Sequence, residues 1–175
     1  MNQNPPPRLN PDADPSLRWD SRPWVSWVST AARLLLGGVL VVAGGLKVGD
    51  PQAAVQAVRA YQLLPEALEP VVGWGLPALE IALGLLLVVG LYTRVAAVGA
   101  ALLLVAFIAG VASAAARGLS IDCGCFGGGG PVAPGETRYA SEIVRDVGLL
   151  VLAGWLVWRP RSRFSLDRVG PEEER

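Results

Sequence analysis

Four long apolar blocks alternate with polar segments along the chain. They cover about residues 24–46, 71–91, 95–116 and 140–158. Each block approaches or exceeds the ~20 residues that cross ~30 Å of hydrocarbon as an α-helix. The fourth block is the shortest and carries two charged residues near its start. The pattern therefore predicts an all-α fold, a bundle of four transmembrane helices.

A shorter helix is predicted in the polar segment after the first block. Asp50 suits the N-cap, Pro51 suits the first helical position, and Pro65 closes the segment. The residues between them separate into two helical faces: Gln52, Gln56, Arg59 and Gln62 on the polar face, and Ala54, Val55, Val58, Tyr61 and Leu64 on the apolar face. We expect an amphipathic helix that lies on the outer surface of the membrane that the bundle spans.

The distribution of charge predicts which way the bundle faces. Of the fifteen Lys and Arg residues, nine flank the side that holds both ends of the chain, four flank the opposite side, and two lie within the blocks. Because Lys and Arg accumulate in cytoplasmic segments, we expect both termini in the cytoplasm and both longer loops outside. The Pro-rich residues 1–22 predict a disordered cytoplasmic tail and residues 160–175 a second tail, which leaves residues 23–159 as the membrane domain.

The composition narrows the classes of partner. Hydrophobic residues make up 52% of the 175, and the formal net charge is zero. Basic residues are not interleaved with aromatic ones, so we expect no nucleic-acid partner, whereas the apolar blocks predict contact with a lipid bilayer. Histidine is absent, which removes the commonest general base and metal ligand from the chemistry of this chain.

The two cysteines of the chain stand in Cys123-Gly124-Cys125, within a glycine-rich loop between the third and fourth blocks. Gly124 allows the tight turn that brings both sulfur atoms together. A disulfide here closes a small, strained ring, and strain makes a disulfide labile, which favours a dithiol that exchanges electrons. Other interpretations are passive thiols, a staple of the loop, or a metal site completed by Asp122 or a second subunit.

Charged residues at the blocks are further candidates. Arg145 and Asp146 open the fourth block beside the cysteine loop, where they either favour a thiolate and move its proton or are ordinary interface charges. Arg33 and Glu80 each lie about nine residues into their block from opposite sides, so their counted depths predict an ion pair. Alternatively, Arg33 reaches the interface and Glu80 is protonated, or the two form a proton relay or contact a ligand. Lys47 is expected to anchor the first block or to attract an anion.

Several motifs follow one another along residues 30–158. They are Arg33-x3-Gly37, Ala43-Gly44-Gly45-Leu46-Lys47, Asp50-Pro51, Ala60-Tyr61-Gln62-Leu63-Leu64-Pro65, Leu76-Pro77-x2-Glu80-Ile81-x2-Gly84, Gly90-Leu91-Tyr92-Thr93-Arg94, Cys123-Gly124-Cys125-Phe126-Gly127 and Arg145-Asp146. In this order they resemble the DoxX-like family of small four-helix bacterial membrane proteins, and within it the MauE-like branch. The resemblance implies a multi-pass protein of the bacterial inner membrane.

The resemblance also implies thiol redox chemistry. The MauE branch is associated with maturation of methylamine dehydrogenase, whose small subunit is rich in disulfides, alongside a thioredoxin-like partner. We therefore expect Cys123 and Cys125 to exchange electrons with a thioredoxin-like extracytoplasmic protein, as a component of a thiol–disulfide oxidoreductase system. Arg145 and Asp146 would tune that pair.

Two other functions stay open at this point. One is a non-enzymatic subunit of a larger respiratory or oxidative-stress complex, or a homo-oligomer, in which small residues on the helices mediate docking. The other is a bundle that binds a quinone or a lipid, with Arg33 and Glu80 as its polar contacts. The chain has neither a Cys-x-x-Cys motif nor a second cysteine pair, so it does not contain a complete two-dithiol relay.

Overall fold

The computed structural model describes residues 23–125, 127–133, 135–159 and 165–166. Within these ranges the chain forms five helices and one short ladder. They are α1 (Pro23–Gly49), α2 (Pro51–Ala60), α3 (Glu69–Val89), α4 (Thr93–Ala116), β1 (Ile121–Asp122), β2 (Gly130–Pro131) and α5 (Tyr139–Trp158). The predicted tail at residues 1–22, and the predicted tail at 160–175 apart from Ser165 and Leu166, lie outside the described residues.

Three of the described helices are long and apolar enough to cross a membrane: residues Trp24–Gly49, Glu69–Val89 and Thr93–Ala116. The sequence also predicts a membrane crossing for the fourth apolar block, which forms α5 in the structure. This helix has 20 residues, which is the length of a span, but its first two turns carry Glu142, Arg145 and Asp146. By length and composition, the described part of the chain therefore shows three membrane-spanning candidates.

The antiparallel pair of α1 and α3 is held together by glycine. A Cβ added to Gly37 would lie 2.8 Å from the backbone oxygen of Gly84, and a Cβ added to Gly84 would lie 2.8 Å from that of Gly37. Such small residues let two helix backbones approach closely, which is the usual packing device of membrane helices. The contact also fixes the register of α1 against α3.

The core of the bundle combines α1, α3, α4 and α5. Its buried members are Ala32, Leu36, Leu40, Leu87, Ala96, Ala97, Ala100, Leu103, Leu104, Leu149, Ala153 and Leu156. At one end of the bundle, Trp155 Nε1 donates to Ser29 Oγ at 3.1 Å, and Ser29 Oγ donates to the carbonyl oxygen of Arg159 at 3.2 Å. The start of α1 and the end of α5 are therefore neighbours.

The short helix α2 lies at the opposite end. Asp50 caps it as predicted, because its Oδ1 accepts from the backbone N–H of Ala53 at 3.0 Å. The helix ends at Ala60, and its buried face consists of Ala54, Ala57 and Ala60. An ion pair between Arg59 Nε and Glu69 Oε2 (2.7 Å) connects it to the first turn of α3. The amphipathic helix is thus present and packs on the bundle.

Candidate functional site

Glycine residues let the cysteine loop pack directly on α2. Gly124 and Gly129 have φ values of +68° and +96°, and a Cβ at either would lie within 3 Å of the Ala57 Cβ, at 2.9 and 2.6 Å. On either side of the cysteines, β1 and β2 form an antiparallel ladder in which Ile121 pairs with Pro131. The all-α prediction missed this ladder, because two-residue strands leave no periodic pattern.

The turn at Gly124 brings the two thiols into contact. The Sγ of Cys123 lies 2.8 Å from the Sγ of Cys125 and is assigned as the donor of a hydrogen bond to it. The backbone N–H of Cys125 donates to Cys123 Sγ at 3.3 Å, and that of Gly124 donates to Asp122 Oδ1 at 3.3 Å. Both cysteines are free, and Cys125 is the more deeply buried of the two. The pair is therefore arranged as a reduced dithiol in a fixed turn.

The surroundings of the two thiols favour different ionisation states. The hydrogen bond from Cys123 lowers the pKa of Cys125. Burial and the negative charge of Asp146 oppose this shift, and the positive charges of Arg145 and Lys47 reinforce it. The same hydrogen bond raises the pKa of Cys123, as do burial, the charge on Cys125 and the nearby carboxylate of Glu142. The hydrogen bond from Cys123, together with the charges of Arg145 and Lys47, outweighs burial and the Asp146 carboxylate and makes Cys125 the site of the thiolate.

The first turns of α5 carry the acidic and basic groups nearest to the thiols. Arg145 Nε donates to Asp146 Oδ1 at 2.8 Å, and the Asp146 side chain is 3% exposed. Asp146 Oδ2 and Glu142 Oε2 are buried without a hydrogen-bond partner among the described residues. The structure thus brings the predicted residues Arg145 and Asp146 to the dithiol and adds Glu142. In the sequence, Glu142 stands three residues before Arg145 and therefore on the same helical face, and this spacing could have marked Glu142 as a member of the site.

A second buried ion pair lies beneath the loop. Lys47 Nζ lies 2.5 Å from Glu80 Oε1, with side-chain exposures of 8% and 1%, and 5.3 Å from the centre of the Phe107 ring. Glu80, Arg145, Asp146 and Cys125 all border one small cavity of about 20 Å³. Lys47, which the sequence marked as an interface anchor or anion contact, is therefore a buried member of the site.

The predicted pairing of Arg33 with Glu80 is wrong. A Cβ on Gly44 would lie 3.1 Å from that of Glu80, whereas Arg33 Nη1 lies beside Gly90 at the end of α3. Since Arg33 and Gly44 are eleven residues apart, about 16 Å separates the two positions along α1. Counting residues from the ends of the apolar blocks failed because the close approach of Gly37 to Gly84 sets the register of α1 against α3. Arg33 is 2% exposed and places its charge at the negative end of the α3 dipole.

A larger cavity of about 260 Å³ has the dithiol as part of its wall. Residues from the end of α1, from α2 and the segment after it, from α3, from α4 and from the cysteine loop contribute to it. They are Lys47, Ala54, Ala57, Val58, Tyr61, Leu63, Leu64, Val72, Gly73, Leu76, Pro77, Ala106, Phe107, Gly110, Cys123, Gly124 and Cys125. Its lining is apolar apart from Lys47, the Tyr61 hydroxyl and the thiols. Nothing in the sequence pattern indicated that these segments enclose a common space.

The metal-site interpretation has a partial ligand set. Ligand atoms of Asp122, Cys123 and Glu142 lie within 4.8 Å of one another, in the part of the chain that is described. Zinc prefers four ligands of the nitrogen and sulfur type in structural sites. One thiolate and two carboxylates fit that preference poorly, and the second thiol of the loop is hydrogen-bonded to Cys123. The dithiol therefore remains the chemically more consistent description of this site.

Apolar helices long enough to span a membrane, buried ion pairs and a dithiol in the loop before α5 define a multi-pass helical membrane protein with a thiol site at one end. The family profile described as methylamine utilisation protein MauE matches residues 25–159, and the chain belongs to this family, as the sequence motifs predicted. The methylamine utilization protein MauE of Paracoccus denitrificans is 38% identical over 109 residues, which cover 62% of this chain and 57% of that protein. The match thus spans little more than half of that relative. No solved structure gives a significant match.

Proposed function

We propose that this protein is a thiol–disulfide exchange component of the bacterial inner membrane and that it acts in methylamine utilisation, the process for which its relative is named. The observation that carries the proposal is the 2.8 Å contact between the sulfur atoms of Cys123 and Cys125. Two thiols in contact lose two electrons and two protons when they close a disulfide. The partner is a thioredoxin-like protein outside the membrane, and the exchange serves the maturation of an envelope oxidoreductase.

The two sulfur atoms have different roles in this exchange. When the pair is oxidised, a partner thiolate attacks the more accessible Cys123, a mixed disulfide forms, and Cys125 leaves as a thiolate. The lowered pKa of Cys125 suits this role, because a thiol of lower pKa is the better leaving group. A second partner thiol then displaces Cys123. The partner is thereby oxidised, and this chain returns to its dithiol form.

Arg145 and Asp146 tune the pair without bonding to the partner. The guanidinium favours the Cys125 thiolate, and it is held in place by the carboxylate, whose Oδ1 accepts from Arg145 Nε. Asp146 and Cys125 line the same small cavity, so the carboxylate can take up a proton when the thiol ionises.

In this proposal α5 is the fourth membrane crossing. Its 20 residues extend over ~30 Å, the thickness of the hydrocarbon core. Its last turn bonds to Ser29 at the start of α1, while Asp146 near its first turn shares a cavity with Glu80 at the other end. Its three charged residues, Glu142, Arg145 and Asp146, therefore face the site and not lipid. Both termini are then cytoplasmic, and the cysteine loop is outside, in agreement with the excess of Lys and Arg at the terminal side.

Trapping of a mixed disulfide tests the exchange. The probe is a thioredoxin-fold protein whose resolving cysteine is replaced and whose remaining cysteine is activated as a mixed disulfide with thionitrobenzoate, which leaves as a thiolate on exchange. The variants are Cys125→Ser, Cys123→Ser and the double variant. We expect Cys125→Ser, which keeps the accessible sulfur, to form a reductant-sensitive adduct in greater yield than Cys123→Ser. The double variant is the control and forms none. If neither single variant captures the probe and the wild-type pair stays reduced in an oxidising envelope, the exchange is refuted.

A growth experiment tests the biological context. A strain that lacks the gene is complemented with wild type or the double Cys→Ser variant and grown on methylamine. We expect only wild type to restore growth, while both strains grow equally on a medium without methylamine. Full growth with the double variant would mean that the chain acts as a docking subunit whose thiols are dispensable.

A further inference from the structure

The cavity of about 260 Å³ beside the dithiol is the feature that the exchange reaction does not use. Both Cys123 and Cys125 form part of its wall, and most of the remaining lining is apolar. Ala106 and Leu63, which also contribute to the lining, are exposed. The cavity therefore connects a two-electron donor with the surroundings of the membrane helices.

We infer that this cavity binds the head group of a lipid-soluble quinone, which accepts two electrons from the Cys123/Cys125 dithiol. The inference rests on the redox role proposed above and names the oxidant that renews the disulfide. The chain itself holds no second cysteine pair that could take these electrons. An acceptor that reaches the sulfur atoms through an apolar cavity must itself be apolar, and a quinone is an apolar molecule that accepts two electrons.

The size of the cavity suits a substituted six-membered ring. Apolar cavities of ~150 Å³ hold benzene, so about 260 Å³ leaves room for ring substituents. An isoprenoid tail is too long for this volume and would leave between the helices into lipid. Val58 from α2, Leu76 from α3 and Phe107 from α4 supply apolar contact on three sides.

Lys47 supplies the polar contact that a quinone needs. Lys47 lines the cavity, and its ammonium group is held by Glu80 Oε1. Since an ammonium has three N–H donors, it can donate to Glu80 and also to a quinone oxygen. That oxygen gains negative charge during reduction, and a fixed cation beside it favours the reduced form. The buried ion pair thereby acquires a role at the site beyond packing.

The reaction balances within these groups. Cys123 and Cys125 together lose two electrons and two protons, and an S–S bond forms between them. The quinone takes up both electrons and two protons and becomes a quinol. The quinol leaves to the lipid, and the disulfide is then ready to oxidise the thioredoxin-like partner. Lys47 is a binding residue in this scheme, since it changes neither its bonds nor its oxidation state.

A cavity-filling pair of variants tests the inference in the full chain, reconstituted in lipid nanodiscs. Ala106 and Ala109 are both exposed residues of α4, but only Ala106 lines the cavity. The reduced protein receives a decyl-substituted benzoquinone, and the loss of thiols and the gain of quinol are followed together. We expect one quinol for each thiol pair. Ala106→Phe should lower the rate at least ~10-fold, and Ala109→Phe should leave it within about twofold.

Binding is measured separately in the cysteine-free double Ser variant, where no electrons flow. The quinone should raise its thermal unfolding midpoint, and Ala106→Phe should abolish the rise. Val72→Phe, on α3, fills the same cavity and replaces Ala106→Phe if that variant does not fold. Equal oxidation of all variants, or no rise in the midpoint, overturns the quinone site. If the Cys123/Cys125 disulfide also fails to exchange with dithiothreitol, the proposed thiol function is refuted as well. Normal exchange with dithiothreitol refutes the quinone site alone.

Discussion

The buried pair of Lys47 and Glu80 gives the sharpest test of the fold beneath the thiols. Two unit charges 2.5 Å apart attract by about 7 kcal/mol at an effective dielectric constant of ~20. This value is an upper limit on the coupling, because both groups lost their hydration on folding. Removal of one partner from a buried pair usually costs about 3–5 kcal/mol. We expect Lys47→Met and Glu80→Gln each to lower the free energy of unfolding by an amount near that range.

The assay is reversible unfolding in mixed micelles, followed by circular dichroism as the fraction of denaturing detergent rises. The double variant Lys47→Met/Glu80→Leu should lose less than the sum of the two single changes, since neither charge is left unpaired. Glu69→Gln is the matched control. It replaces the buried Glu69 carboxylate (6% exposed) by a neutral amide and leaves Arg59, whose side chain is 63% exposed, hydrated, so it should cost clearly less than either change to the buried pair.

A buried ion pair between Lys47 and Glu80 is refuted if Lys47→Met costs no more than Glu69→Gln, or if the two single losses simply add in the double variant. Either result would mean that the ammonium of Lys47 reaches water instead of Glu80. The quinone site would then lose its polar contact, while the contact between the two sulfur atoms, which Lys47 does not make, would remain.

Two further predictions concern the loop and its charges. Gly124→Ala should lower the free energy of unfolding more than Gly128→Ala. Both positions have positive φ (+68° and +73°), so both variants are strained by ~1–2 kcal/mol, but only the methyl group at 124 collides with α2. Equal losses of unfolding free energy in the two variants would contradict the close packing. The thiolate absorbance of the reduced protein should show that Cys125 ionises below the ordinary pH of ~8.5. Arg145→Ala should move that midpoint upward, since loss of a cation disfavours the thiolate, whereas Arg138→Ala, the same change at an exposed site, should not; identical shifts would contradict the role of Arg145.

The elements of the fold were accessible from the sequence because each has a local cause. Long apolar runs predict the helices, and the observed α1, α3, α4 and α5 differ from the predicted blocks by three residues or fewer at each end. The alternation of polar and apolar residues after Asp50 predicts α2. The Cys-Gly-Cys spacing predicts thiols that can meet, since Gly124 alone decides the turn. None of these elements depends on how distant segments pack.

The arrangement of the site was not accessible in this way. Which carboxylate meets which cation depends on the register of α1 against α3, and a glycine contact near the middle of the pair sets that register. Depth counted from the ends of the apolar blocks could not reveal it, and so Arg33 was paired with Glu80 in place of Lys47. The cavity depends on five separate segments, and its volume is a property of their packing. No pattern along one segment could have predicted it.

The charges around Cys125 are difficult to explain by stability alone. Lys47, Glu80 and Asp146 have side chains at most 8% exposed, and Arg145 is 30% exposed. Replacing buried ion pairs by apolar residues of similar volume is often neutral or stabilising by about 1–4 kcal/mol. An apolar bundle would therefore hold this fold at least as well. The ion pairs lie where the thiols are, and one oxygen each of Glu80 and Asp146 is buried without a partner among the described residues. A polar interior at this one end is what a thiol needs if it is to ionise and to pass on its proton next to lipid.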